Sequence, residues 1–181
     1  MSRVPLIETS DASGERQALL TQIHGAFGAT PAMFKAVANS TAALKSMWGS
    51  FGALGGGIID AKLGEQIAVA VADRNACEYC LAAHTVLGRK AGATPEELSA
   101  AQAGGSSDPK TAATLRFALK LVEARGQVND ADVQAVRDAG FSDEEIVEIL
   151  AHVALNLFTN YINIAFAVPV DFPAVKLSRA A

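Results

Sequence analysis

The sequence predicts an all-α fold, and three observations predict it. Apolar residues recur at three- and four-residue spacing almost throughout the chain. No stretch alternates apolar and polar residues with β-branched enrichment, the pattern a strand requires. Half of the 181 residues are hydrophobic but only 6% are aromatic, so the apolar mass is mainly Ala, Val, Leu and Ile, which suits closely packed helices.

Helices are expected over about 13–25, 31–38, 41–54, 60–74, 77–91, 95–103, 109–125, 130–139 and 142–167, with ends placed to within roughly 2–4 residues. Asp73-Arg74-Asn75 interrupts the apolar pattern and separates the fourth helix from the fifth, which starts near Ala76 or Cys77. Gly92 suits the end of the fifth. Thr94 with Glu97 then forms a capping box for the sixth, with Pro95 at its first position. Asp108 before Pro109 is a similar start for the seventh. Gly140, then Ser142 with Glu145, repeats the Gly-and-box joint before the ninth. The likeness of 91–97 to 139–145 is that of two ordinary helix joints, with a duplicated helical unit as the alternative. Gly55-Gly56-Gly57 and Gly104-Gly105-Ser106-Ser107 are loops, and neither has the strand or the Lys of a phosphate cradle.

Length fits a single domain over 1–181, large enough to bury a core without disulfides. A net charge of −4 with no basic run excludes nucleic acid as a partner. The first 16 residues lack the apolar core of a signal peptide, so a cytoplasmic location is expected. Residues 146–170 are long enough to span a bilayer, but Glu148, His152, Asn156, Asn160 and Asn163 lie within them. A helix buried in the core or against another subunit is the better reading, and no membrane is expected as a partner.

Both cysteines sit in one Cys-x-x-Cys, which is redox or metal chemistry rather than a secreted disulfide framework. Cys77, Cys80 and His84 fall at i, i+3 and i+7, on one face of a helix. Thiols in a first turn feel exposed amides and the positive end of the dipole, which favours the nucleophilic thiolate. A thiolate beside a second thiol can attack a peroxide, become a sulfenic acid and condense to a disulfide. Glu65, twelve residues before Cys77, flanks the stripe Leu63, Ile67 and Val71 and could hold His84 or pass a proton. Alone, it reads as a solvated first-turn residue. Inert buried thiols, half a zinc site completed by His24 or His152, and a core histidine at 84 are the competing readings.

Glu-x11-Cys-x2-Cys-x3-His, here Glu65, Cys77, Cys80 and His84, resembles the core motif of the AhpD-like alkylhydroperoxidases, within the carboxymuconolactone decarboxylase superfamily. The Gly28-to-Pro31 turn, Asn39-Ser40 before a helix and Asn75-Ala76-Cys77-Glu78-Tyr79-Cys80 are similar too. The ending, Asn156 through Asn163 to Asp171-Phe172-Pro173, resembles the branch labelled peroxidase-related. The resemblance covers about residues 25–173, with 65–84 as core motif and a helical extension over about 1–40. It implies an AhpD-like helical bundle and a thiol peroxidase. Cys80 would be the peroxidatic cysteine, Cys77 its disulfide partner and proton donor, and His84 with Glu65 the proton relay. The implied substrate is a hydroperoxide, and the implied reductant a lipoyl group or thioredoxin-like protein. No cofactor or metal is implied. The resemblance also implies a homo-oligomer built from dimers, up to a hexamer. Some members carry a second His between the cysteines where this chain has Glu78 and Tyr79, and the charge of Glu78 would oppose thiolate formation. A non-catalytic redox switch on the same cysteine pair is the alternative function. The stripe His152, Asn156, Asn160 and Asn163 is expected to be a hydrogen-bonded network in the core or at an interface, or else the border of the substrate pocket.

Overall fold

A computed structural model describes residues 1–178. Among them the secondary structure is helical throughout: a 3₁₀ turn at Thr9–Asp11, then α1 (Gly14–Phe27), α2 (Ala32–Val37), α3 (Thr41–Gly55), α4 (Ala61–Arg74), α5 (Glu78–Lys90), α6 (Pro95–Gln102), α7 (Pro109–Glu123), α8 (Asp130–Asp138) and α9 (Asp143–Ala165). The stretch 1–40 holds α1 and α2 behind a non-helical lead. That lead is tied down by the Arg3 N–H on the Phe166 carbonyl at 2.7 Å and the Ile7 N–H on that of Lys35 at 3.0 Å.

Side chains that satisfy exposed amides set the helix starts. The expected capping boxes form at Thr94–Glu97 and Ser142–Glu145. Asp108 caps α7, and Gly92 and Gly140 take the left-handed conformation after α5 and α8. Asn129 with Asp132 makes a third box, on α8.

Helix α4 is the central post, packed against α5, α6, α7 and α9. Its small, apolar sequence is what allows this. Leu63, Ile67, Ala68, Val69, Ala70, Val71 and Ala72 are all buried, so it has contacts on nearly every side. Helix α9 lies along it and also meets α2, α3, α5, α7 and α8. Two close approaches fix this arrangement. A Cβ on Gly88 of α5 would stand 2.7 Å from Leu98 Cδ2 and 3.5 Å from Glu65 Cβ, so the glycine lets α5 close on α4 and α6. Glu148 of α9 accepts from the Ile58 and Ile59 N–H groups at 3.1 and 2.8 Å and pins the loop entering α4, and a Cβ at Gly57 would collide with its carboxylate. No helix among the described residues is long and apolar enough to cross a membrane.

Candidate active site

The joint between α4 and α5 creates the site. Ala76 adopts φ 55° and closes α4, with the Ala76 N–H on the Asp73 carbonyl at 3.1 Å and the Cys77 N–H on that of Ala72 at 2.9 Å. Glycine normally fills such a position, so a left-handed alanine stores strain beside the cysteines. The turn leaves Cys77 as the cap of α5, where its sulfur accepts from the Cys80 N–H at 3.3 Å. The two thiols are free and buried, 1% and 2% exposed, with the Cys77 thiol 2.7 Å from the Cys80 sulfur and donating to it.

That hydrogen bond separates the thiols chemically. It holds the Cys77 proton in place, and together with burial and the charge on Cys80 it pushes the Cys77 thiol well up. Burial pushes Cys80 up as well. The Cys77 donor, the His84 charge and the side chains of Asn163 and Asn160 outweigh burial and bring Cys80 down to about 7. At neutral pH Cys80 is therefore substantially thiolate.

His84, one turn after Cys80, gives Nδ1 to Glu65 Oε2 at 2.8 Å. Glu65 is thus not the solvated residue its position alone suggests, for its side chain is 23% exposed and that of His84 12%. Burial would lower the His84 pKa. The charge and hydrogen bond of Glu65, with the nearby Cys80, raise it. With Nδ1 engaged, Nε2 is the free nitrogen.

The polar stripe of α9 faces the interior. Asn163 Nδ2 donates to Cys80 Sγ at 3.2 Å, and Asn75 Nδ2 donates to Asn160 Oδ1 at 2.9 Å. Asn156 turns back to its own helix, donating to the His152 carbonyl at 2.9 Å. His152 is half-buried beside Gly64, and burial lowers its pKa against the pull of Glu148 and Glu65.

Cys80 and His84 share a cavity of about 30 Å³, lined also by Phe27, Met33, Phe34, Tyr79 and Phe172. It holds roughly two water-sized groups between apolar walls. Phe34 stacks among Phe27, Trp48 and Phe51 at centroid distances of 5.6–5.9 Å, which makes one wall rigid. Tyr79 and Phe172, edge to face at 5.6 Å, make the other. The Met33 N–H donates to the Tyr79 hydroxyl at 3.3 Å, and the Ala32 N–H to Asp171 at 2.7 Å, so α2 is the strut for this wall. A second cavity of about 170 Å³, lined by Glu65, His152, Leu155 and Asn156, also borders His84.

Residues 39–124, which contain Glu65, Cys77, Cys80 and His84, match the carboxymuconolactone decarboxylase family. The chain is similar to the alkylhydroperoxidase AhpD core of an uncharacterised peroxidase-related protein from Ralstonia eutropha JMP134. That match has 26% identity and a TM-score of 0.83, over 94% of this chain and 92% of that one. An uncharacterised peroxidase-related protein from Silicibacter sp. TM1040 is 25% identical over 93% of this chain and 91% of that one, with a TM-score of 0.80. The chain has the AhpD-like fold, and residues 39–124 carry its match to the carboxymuconolactone decarboxylase family. At the level of fold alone it also matches the debrominase Bmp8, solved as a cysteine-to-alanine variant in complex with 2,3,4-tribromopyrrole, at 18% identity and a TM-score of 0.80 over 94% and 92% of the two chains. No curated protein matches the chain.

Two features of the site go beyond what the sequence pattern predicts. Glu78 is exposed, where water screens its charge, and it is not among the main groups that set the Cys80 pKa. The sulfur contact of Asn163 and the cavity walls from Phe27, Phe34, Tyr79 and Phe172 join segments far apart in the chain, and no spacing rule links them. The helical period of the Asn stripe was the one available signal. Among the described residues no cluster of three or more His, Cys, Asp or Glu side chains converges as a metal site.

Proposed function

We propose that the protein is a thiol peroxidase that reduces hydroperoxides at Cys80 and is recharged by a dithiol. The observation that carries this reading is a thiolate-prone Cys80, bonded to a protonated partner thiol, on the wall of the small apolar cavity that it shares with His84. The Cys80 thiolate attacks the distal oxygen of ROOH, forming an S–O bond as the O–O bond breaks. His84, as imidazolium, gives its proton to the departing alkoxide, and ROH leaves. Glu65 orients His84 and steadies its charge through the 2.8 Å bond. Cys77 then loses its proton and attacks the Cys80 sulfenic acid, releasing water and closing the disulfide. A lipoyl-type dithiol or thioredoxin-like protein returns two electrons by thiol–disulfide exchange.

The test is peroxide-dependent oxidation of dihydrolipoamide by wild type and Cys80→Ser, with hydrogen peroxide and an alkyl hydroperoxide. Many turnovers in wild type, abolished by the substitution, support the reading. One disulfide per chain with no turnover on any dithiol leaves a redox switch instead. The Bmp8 complex makes 2,3,4-tribromopyrrole the comparison substrate. A cavity of about 30 Å³ favours a peroxide over that bulkier ring, so peroxide is expected to be consumed faster.

A further inference from the structure

Two buried amides one turn apart on α9, one of them on the Cys80 sulfur, are left half-satisfied. Asn160 and Asn163 are 0% and 4% exposed, close together on the inner face of α9. Asn75, the residue that caps the end of α4, donates to Asn160 Oδ1 and so fixes which way the amide faces, leaving Asn160 Nδ2 without a hydrogen-bond partner. Asn163 spends Nδ2 on the sulfur, and its Oδ1 is likewise unpaired. Orphaned buried amide groups destabilise a fold, and two of them one turn apart on α9, one bonded to the reacting sulfur, point to function rather than to packing. Asn156 shows the contrast, because its amide is satisfied within its own helix and touches no sulfur.

We infer that Asn160 and Asn163 form an amide cradle that holds the Cys80 sulfur in its anionic form and fixes its direction of attack, with Asn75 clamping the cradle from the end of α4. The role deepens the peroxidase reading and rests on it for its purpose, though not for its test. Both amides present N–H donors, which favour an anion and gain strength in a buried site. Asn163 touches the reacting sulfur, whereas Asn75 acts only through Asn160 and is a positioning residue. The titratable groups around Cys80 are Cys77, Tyr79 and His84, with Glu65 behind His84, and the amides add donors without adding a charge that would titrate with them.

The experiment follows alkylation of Cys80 by iodoacetamide against pH, read by mass on the Cys80 peptide, in wild type, Asn163→Leu, Asn163→Ala and Asn156→Ala. Loss of the donor is expected to raise the alkylation midpoint by about one pH unit in both Asn163 variants. Asn156→Ala is expected to leave it where it is. Leu matches Asn in size and removes the orphan oxygen, so Asn163→Leu is also expected to unfold no earlier than wild type. A midpoint that stays put in whichever Asn163 variant folds overturns the cradle, as does an equal rise in Asn156→Ala. Alkylation needs no peroxide. Absent peroxide turnover with a shifted midpoint therefore unsettles the proposed function and leaves the cradle standing, while normal turnover with an unmoved midpoint does the reverse.

Discussion

Replacing Glu65 by Gln keeps the shape of the carboxylate and a hydrogen-bond acceptor for His84 Nδ1, and removes only the charge. In the native protein that charge is 2.8 Å from the ring, with the two side chains 23% and 12% exposed. A charge-assisted hydrogen bond contributes about 1.5–3 kcal/mol when well desolvated, and partial exposure reduces this to about 1–2 kcal/mol here. The pH dependence follows from the direction of the His84 shift. Burial lowers the His84 pKa but Glu65 raises it further, so the folded pKa lies above the unfolded one. The stabilisation is then fully present below the unfolded pKa of about 6.5 and is lost as pH rises through the folded value. Wild type should exceed Glu65→Gln by about 1–2 kcal/mol in urea unfolding near pH 6, with the gap closing in alkaline solution. Reactivity follows from the same charge. Cys80 titrates at about 7, partly because of the His84 charge. If the substitution raises it by about one unit, thiolate at pH 7 falls from about half to about a tenth, and iodoacetamide labelling slows roughly fivefold. A stability gap independent of pH, or an unchanged labelling rate, would refute this coupling of Glu65 through His84 to Cys80.

Three other substitutions test how the fold presents the site. Ala76→Gly relieves the left-handed alanine before Cys77, and after the entropic cost of glycine in the unfolded chain it should stabilise by about 0.5–1 kcal/mol in chemical denaturation. Gly88→Ala sets a methyl against Leu98 and displaces Glu65, so despite its better helix propensity it should lower the melting temperature by about 2–4 °C and reduce peroxide turnover. Phe172→Ala removes the edge-to-face contact with Tyr79 and opens the Cys80 cavity, which should improve bulky alkyl hydroperoxides relative to hydrogen peroxide in competition assays.

The helices were legible because their ends are written locally. Thr94 with Glu97, Ser142 with Glu145, and Asp108 before Pro109 each satisfy amides within one turn, and a single sequence contains all the partners. The 3₁₀ turn at Thr9–Asp11 is too short to leave a period in the sequence. Within the site, Cys77, Cys80 and His84 share a helix face, so spacing alone brought them together. The pairing of Glu65 with His84 needed the approach of α4 to α5 that Gly88 permits, and no periodicity encodes that distance. Asn163 was visible as part of a polar stripe, but its sulfur partner lies 83 residues earlier in the chain. The cavity is less legible still, since its walls come from α1, α2, α3, α5, α9 and the segment after α9.

The most direct measurement is the position of the sulfenic acid. Cys77→Ser keeps a hydroxyl near Cys80 but cannot close a disulfide, so one equivalent of hydroperoxide followed by dimedone and peptide mass analysis marks the sulfur that attacked. A thiol peroxidase working through Cys80 gives a stoichiometric adduct on Cys80, formed faster as pH rises through about 7. Peroxide left unconsumed, with Cys80 unmodified across that range, would contradict it.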